Sequence, residues 1–279
     1  MLRWGREAGT ERDFIMKKSV LAVTLALAVG SLLSTASAGT LKVGATPVPH
    51  AEILEHVAPA LKAQGVDLQV IEFNDYVQPN LACDDGELDA NFFQHKPYLD
   101  VFVQDHGVDL VAVAGVHIEP MGIYSNKIKD LKELKKGDKV AIPNDPTNGG
   151  RALLLLATAG IIKVPDLNDV TVTVLDITEN PLNLEFAELE AAQLPRALPD
   201  VTCAVINTNY AMPAGLNPLK DALYIENADS PYVNILVANQ DSANTEDMKA
   251  LVKALTSEDT AEFIKTKYQG AIVPVGGAK

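Results

Sequence analysis

The chain has 279 residues, 47% of them hydrophobic and 22% charged, and a formal net charge of −14. That length allows one large domain or two modest ones with ample buried core. The acidic balance argues against nucleic-acid binding, which needs basic patches to neutralise phosphate. It says little about small ligands, because a pocket can oppose the global sign.

At the amino terminus, Met16, Lys17 and Lys18 precede an apolar run over residues 20–29 and an Ala36-Ser37-Ala38 ending. A basic start, a short apolar centre and small residues at the end form a secretory signal over 16–38. A membrane-spanning helix needs about 20 apolar residues, and this run is shorter. Cleavage is expected after Ala38, with residues 1–15 an upstream extension outside the fold. No cysteine lies near that point, so no lipid anchor is expected and the mature chain should diffuse freely in the periplasm. Cys83 and Cys203 sit in neither a CxxC nor a CxxH spacing, so they are expected to be separate core residues, with no metal site.

From Gly39 onward strands and helices alternate. A strand over 41–46 leads through the proline-rich loop 47–50 to a helix over 51–64, whose apolar residues Ile53, Leu54, Val57 and Leu61 share one face and which Gly65 closes. A strand follows over 68–73, then a helix over 78–86, a strand-like segment over 88–93, a helix over 97–106 and a strand over 110–114. A charged helix is expected over 127–136. A second series then begins: strand 139–142, helix 150–160, and strands 170–174, 201–206 and 233–237, with an amphipathic helix at 245–255 before the carboxy-terminal helix. Such alternation predicts an α/β protein with mainly parallel sheets flanked by helices. Two series suggest two lobes, expected as 39–120 with 231–279, and 121–230.

In open α/β sheets ligands bind beyond the carboxyl ends of strands. The loop after Ile142 is rich in Pro, Asn and Gly and runs into an apolar helix. Asn148 there reads as an N-cap, placing Arg151 in the first turn, where the helix dipole disfavours a cation. A bidentate grip on a bound carboxylate would explain that arginine, and so would pairing with Asp145; the pattern leaves both open. Phe93, His95 and Tyr98 gather at a strand–helix junction, as core or as the wall of an apolar pocket. Asn207 and Asn234 lie at or within apolar strands and need hydrogen-bond partners.

Five motifs in order, L-K-V-G-A-T-P-x-P-H-A-E-I-L from Leu41, F-Q-H-K-P-Y-L from Phe93, V-A-I-P-N-D-P-T-N from Val140, A-V-I-N-T from Ala204 and S-P-Y-V-N from Ser230, resemble the NlpA/MetQ family of methionine-binding proteins. The resemblance covers 41–279. It implies a two-lobed, type II-like periplasmic binding protein fold with the ligand cleft between the lobes. It implies a monomer that hands methionine to the membrane permease of an ABC importer. The family's ligand residues fall on Tyr76, Phe93, His95, Tyr98, Asn148, Arg151, Asn207 and Asn234. Aromatic residues would hold the thioether, the arginine the carboxylate, and the asparagines the amino group and carboxylate. Asn209, two residues beyond Asn207, would face the same side of an extended strand.

No cofactor is implied, and no enzyme is expected: G-x-S-x-G, H-E-x-x-H and phosphate-loop motifs are missing. The five histidines are dispersed along the chain, which offers no metal-ligand spacing. Another small apolar amino acid or a methionine-containing dipeptide remains the alternative ligand, and an enzyme on the same fold the remote one.

Overall fold

The computed structural model describes residues 39–227 and 230–275. The expected signal over 16–38 and the extension before it lie outside these residues. In chain order the principal elements begin with β1 (Gly39–Ala45), α1 (Glu52–Lys62), β2 (Val66–Glu72), α2 (Gln78–Asp84), β3 (Ala90–His95), α3 (Lys96–His106) and β4 (Leu110–Ile118). Then come β5 (Gly122–Tyr124), β6 (Lys139–Pro143), α4 (Pro146–Thr158), β7 (Glu185–Leu189), α5 (Leu194–Ala197), β8 (Cys203–Ile206), α6 (Thr208–Ala211), α7 (Pro218–Asp221) and β9 (Tyr224–Ile225). The chain ends through β10 (Val233–Asn239), α8 (Glu246–Leu255), α9 (Glu258–Tyr268) and β11 (Val273–Pro274).

Among the described residues these strands form two sheets, ordered β11-β4-β10-β3-β1-β2 and β7-β6-β8-β5-β9. In the first, β1 pairs in parallel with both β2 and β3, while β10 runs antiparallel between β3 and β4. In the second, β6 pairs in parallel with β7 and β8, and β5 is antiparallel to β8 and β9. Each sheet thus has three parallel strands along one edge and antiparallel strands where the chain enters or returns. The two-lobed α/β architecture follows, since each sheet has its own core. One core packs Leu41, Val43, Ile53, Leu54, Val57 and Leu61 against Met248, Leu251 and Leu255. The other packs Ile123, Val140 and Ile142 against Leu153 and Leu156 of α4.

The face of α1 is the expected one, with Ile53, Leu54, Val57 and Leu61 buried. Gly65, just beyond its end, has φ 86°, the left-handed conformation that a Cβ would penalise. Two expectations fail for a local reason. The charged segment 127–136 folds as a single turn at Leu131–Glu133, closed by a reciprocal Asp130–Glu133 capping box. Residues 170–174 form no strand, because Asp169 accepts from the main-chain N–H and hydroxyl of Thr171, and Asp176 from those of Thr173. Such short-range bonds compete with a sheet ladder for the same backbone groups. The strand β7, missed in sequence, occupies the sheet edge instead.

Helix α4 begins earlier than expected. Asp145, and not Asn148, is the N-cap: its Oδ1 accepts the Asn148 main-chain N–H at 2.9 Å, and Pro146 fills the first turn. Gly149 and Gly150 let α4 lie close to its neighbours, since a Cβ on Gly150 would meet the Val170 carbonyl oxygen at 2.3 Å. Gly150→Ala is therefore expected to destabilise the fold by about 1–3 kcal/mol through overpacking. A lowered thermal midpoint in calorimetry checks it.

Candidate functional site

The chain crosses from the first sheet to the second through Glu119, Pro120 and Met121, and returns between β9 and β10. Beside these crossings lies a narrow cavity. All eight residues picked out in sequence line it: Tyr76, Phe93, His95, Tyr98, Asn148, Arg151, Asn207 and Asn234. Gln94, Glu119, Thr208 and Asn209 line it too. Phe93 and Tyr98 also belong to a buried cluster with Leu99 and Phe102, so they are core and cavity wall at once.

His95 ends β3 and caps α3, its Nδ1 accepting the Tyr98 N–H at 3.2 Å. Its hydrogen must then sit on Nε2, which reaches Asn148 Oδ1 at 3.2 Å. Asn148 Oδ1 also accepts from Asn207 Nδ2 at 2.7 Å, and Asn148 Nδ2 donates to Asp145 Oδ1 at 2.9 Å. Asn148 is thus fixed as the hub of a polar network spanning both sheets. Tyr76, on the loop after β2, donates its hydroxyl to Asn209 Oδ1 at 2.6 Å, a second bond across the cleft. Asn209 faces the cavity from α6, because Asn207 already ends the extended segment and caps that turn.

Arg151 is 3% exposed. Its Nε donates to Glu226 Oε1 at 3.0 Å, its Nη2 to Glu226 Oε2 at 2.5 Å and to the Glu119 carbonyl at 2.7 Å. The guanidinium carbon lies 4.2 Å from the centre of the Tyr232 ring. The sequence offered Asp145 as the protein partner; the structure supplies Glu226, from the returning crossover. Burial opposes the charge, but Glu226 outweighs it and keeps the arginine ionised.

Three of the five histidines meet here. His50 lies 3.0 Å from Asn234 Oδ1 and 3.2 Å from Glu119 Oε1 through Nε2, and its Nδ1 is 2.7 Å from Thr46 Oγ1. His117 Nε2 is 2.7 Å from the same Glu119 oxygen. Asn234 pairs with His95 on one side of β10 and with His117 on the other, which explains the convergence of residues far apart in sequence. The donor atoms of His50, His117 and Glu119 lie within 4.8 Å of one another. Yet 2.7 Å between His117 and Glu119 is a hydrogen-bond distance, shorter than the roughly 3.3 Å between two ligands on a tetrahedral zinc with bonds near 2.05 Å. The trio is a hydrogen-bonded set.

Two cavity-lining amide atoms, Asn207 Oδ1 and Asn209 Nδ2, are buried without a hydrogen-bond partner. With a cation, a carboxyl group, amide atoms without hydrogen-bond partners and an aromatic wall, the cavity suits a zwitterion with an apolar side chain.

The chain belongs to the NlpA lipoprotein family, whose match spans residues 41–276. It is 48% identical over 225 residues to the D-methionine-binding lipoprotein MetQ of Escherichia coli K12, covering 80% of this chain and 82% of that protein. A nutrient binding protein from Burkholderia cenocepacia, solved bound to methionine, is 48% identical with a TM-score of 0.82 over 85% of this chain and all of that one. A periplasmic substrate-binding protein of an ABC transporter from Coxiella burnetii shares 42% identity and a TM-score of 0.80, over 84% of this chain and 100% of that one. These comparisons overturn the expectation of a protein without a lipid anchor, because the family and its curated relatives are named as lipoproteins.

The imidazoles make a pH prediction. Burial first of all lowers the pKa of His50 to about 4 and those of His95 and His117 to about 3. Unfolded imidazoles take a proton below about 6.5 while these stay neutral, so each withdraws stability as pH falls from 6.5 toward its folded value. Ring-proton resonances of all three should stay flat between about pH 7.5 and 5.5 in NMR titrations.

Proposed function

We propose that this chain is an exported, extracytoplasmic binding protein that captures methionine and hands it to the permease of an ABC importer. The observation that carries the reading is the convergence of all eight expected residues on one cavity. The likeness to methionine-binding relatives supports it, and the basic-then-apolar segment before Gly39 supports export. The protein acts as a monomer whose lobes, 39–120 with 231–279 and 121–230, close on the ligand.

Tyr76, Phe93 and Tyr98 receive the thioether. Sulfur against an aromatic ring contributes about 0.3–1.5 kcal/mol beyond the buried area. Arg151 takes the carboxylate. Because Glu226 holds Nε and Nη2 from one side, the remaining Nη1 is the nitrogen that reaches the ligand. Asn148, Asn207 and Asn234 complete the polar end, and His95 fixes Asn148 as a neutral donor. Lobe closure is the whole mechanism, and the closed form is what the permease reads.

Denaturing the purified protein should release methionine, identified by mass spectrometry. Stripped protein should bind L- or D-methionine in calorimetry; failure with both isomers overturns the assignment, and release of another amino acid or a dipeptide replaces it. Arg151→Met should cut methionine affinity by about 100-fold or more, the worth of a strong charged hydrogen bond. It should also destabilise the protein, because Glu226 loses its counter-ion. The double variant Arg151→Met/Glu226→Gln should recover stability without recovering affinity, separating the two roles.

A further inference from the structure

We propose that Glu119 receives the α-ammonium group of the ligand, held for that task by His50 and His117, and that it makes the cleft select a free amino acid over the same molecule without its amine. The proposal rests on the reading of the cavity as a methionine site. None of these three residues was singled out as a ligand contact from the sequence.

The cavity wall supplies the first argument. Among the described residues lining it, Arg151 is the permanent cation, His95 is held neutral, and Glu119 is the carboxylic acid; burial raises its pKa and the nearby Arg151 charge works the other way, favouring the carboxylate. A zwitterion presents one charge of each sign, and Arg151 answers only the carboxylate. Left without an opposite charge, a buried ammonium would be costly. The asparagine oxygens can accept its hydrogens but cannot balance its charge.

The support behind Glu119 supplies the second argument. Its Oε1 is flanked by His117 Nε2 at 2.7 Å and His50 Nε2 at 3.2 Å. Both neighbours of His50 Nε2 are acceptors, so that nitrogen carries the hydrogen, and Thr46 Oγ1 completes Nδ1. His117 therefore donates to one carboxylate oxygen as a neutral imidazole, and His50, whose hydrogen goes to Asn234 Oδ1, packs beside that oxygen without cancelling its charge. A lysine or arginine in either place would pin the side chain equally well and neutralise it. With Oε1 committed to His117, Oε2 is the oxygen left for a ligand.

His50 does a further job. The ring that packs beside Glu119 hydrogen-bonds Asn234 Oδ1, so one imidazole adjoins two cavity-lining side chains. It and His117 do not themselves line the cavity, and they are positioning residues.

The test uses ligand-stripped full chain and two probes, methionine and its analogue with hydrogen in place of the amino group. Calorimetry on the unaltered protein should show methionine binding about 100-fold or more tighter than the deaminated probe, the scale of a buried charge-assisted contact. A preference below about threefold overturns the proposal with no variant needed. Glu119→Gln keeps the shape and loses the charge: methionine affinity should fall about 30-fold or more while the deaminated probe changes less than about threefold. Equal losses for both probes, or an unchanged ratio, would mean that Glu119 only supports the structure. His117→Leu should lower the ratio, and His117→Gln, whose amide N–H can still donate to Glu119, should restore it. Methionine failing to bind the unaltered protein would defeat the reading of the cavity itself, and methionine binding with an unchanged ratio in Glu119→Gln would defeat this proposal alone.

Discussion

A buried guanidinium organises the cleft. Bringing Arg151 out of water costs several kcal/mol, and the structure offsets it with three groups from two parts of the chain: the Glu119 carbonyl on one crossover, and the Glu226 carboxylate and the face of Tyr232 on the other. Glu119 lies on the outgoing crossover and Glu226 on the returning one, so α4 is tied to both connections between the sheets. The arginine cannot be satisfied unless both connections are in place. Geometry at the polar end of the cavity therefore depends on the same contacts that hold the crossovers.

Closure has a balance of its own. Tyr76 to Asn209, His95 to Asn148 and Tyr210 to the Asn74 carbonyl each join the two sides of the cleft. Such bonds contribute about 0.5–1.5 kcal/mol net apiece. Against them stand Asn207 Oδ1 and Asn209 Nδ2, buried without partners at a cost of about 1–3 kcal/mol each. The unpaired amides thus offset part of what the hydrogen bonds across the cleft contribute. A ligand that satisfies the two amides removes the opposing part and keeps the favourable one, which is the differential affinity a population shift requires.

How much of this the sequence displays depends on the range of each interaction. The buried face of α1 is local, four apolar residues at helical spacing, and it is legible. The start of α4 is local too, yet ambiguous: Asp145 and Asn148 both suit an N-cap, and Pro146, which favours the first helical turn, decides between them. The Val-Thr alternation of 170–174 suggests a strand, but the adjacent aspartates capture the threonine N–H groups first. Long-range partners leave no local trace. Nothing near Arg151 points to Glu226, which is 75 residues away, and His50 and His117 look dispersed until β10 brings Asn234 beside them. Seven of the eight cavity residues stand out by type and place, and the motif resemblance adds Tyr76 and gives all eight a ligand role, because residue type alone leaves Phe93 and Tyr98 as plausible core, which they also are.

That double membership ties stability to recognition. A side chain that is both core and wall is held in one rotamer by the packing behind it, so its cavity face is preorganised and little entropy is lost on binding. At the polar end the same is achieved differently: Asp145 fixes Asn148, Glu226 fixes Arg151, and His50 fixes Asn234. Each lining group there has a partner behind it of complementary chemistry, and that partner leaves the lining group's own hydrogen-bonding character intact. The −14 formal charge of the whole chain is silent on all of this. Recognition is set by a few charges inside a low-dielectric cavity, where a paired arginine and a neutral-imidazole-supported carboxylate outweigh the many solvated acids outside.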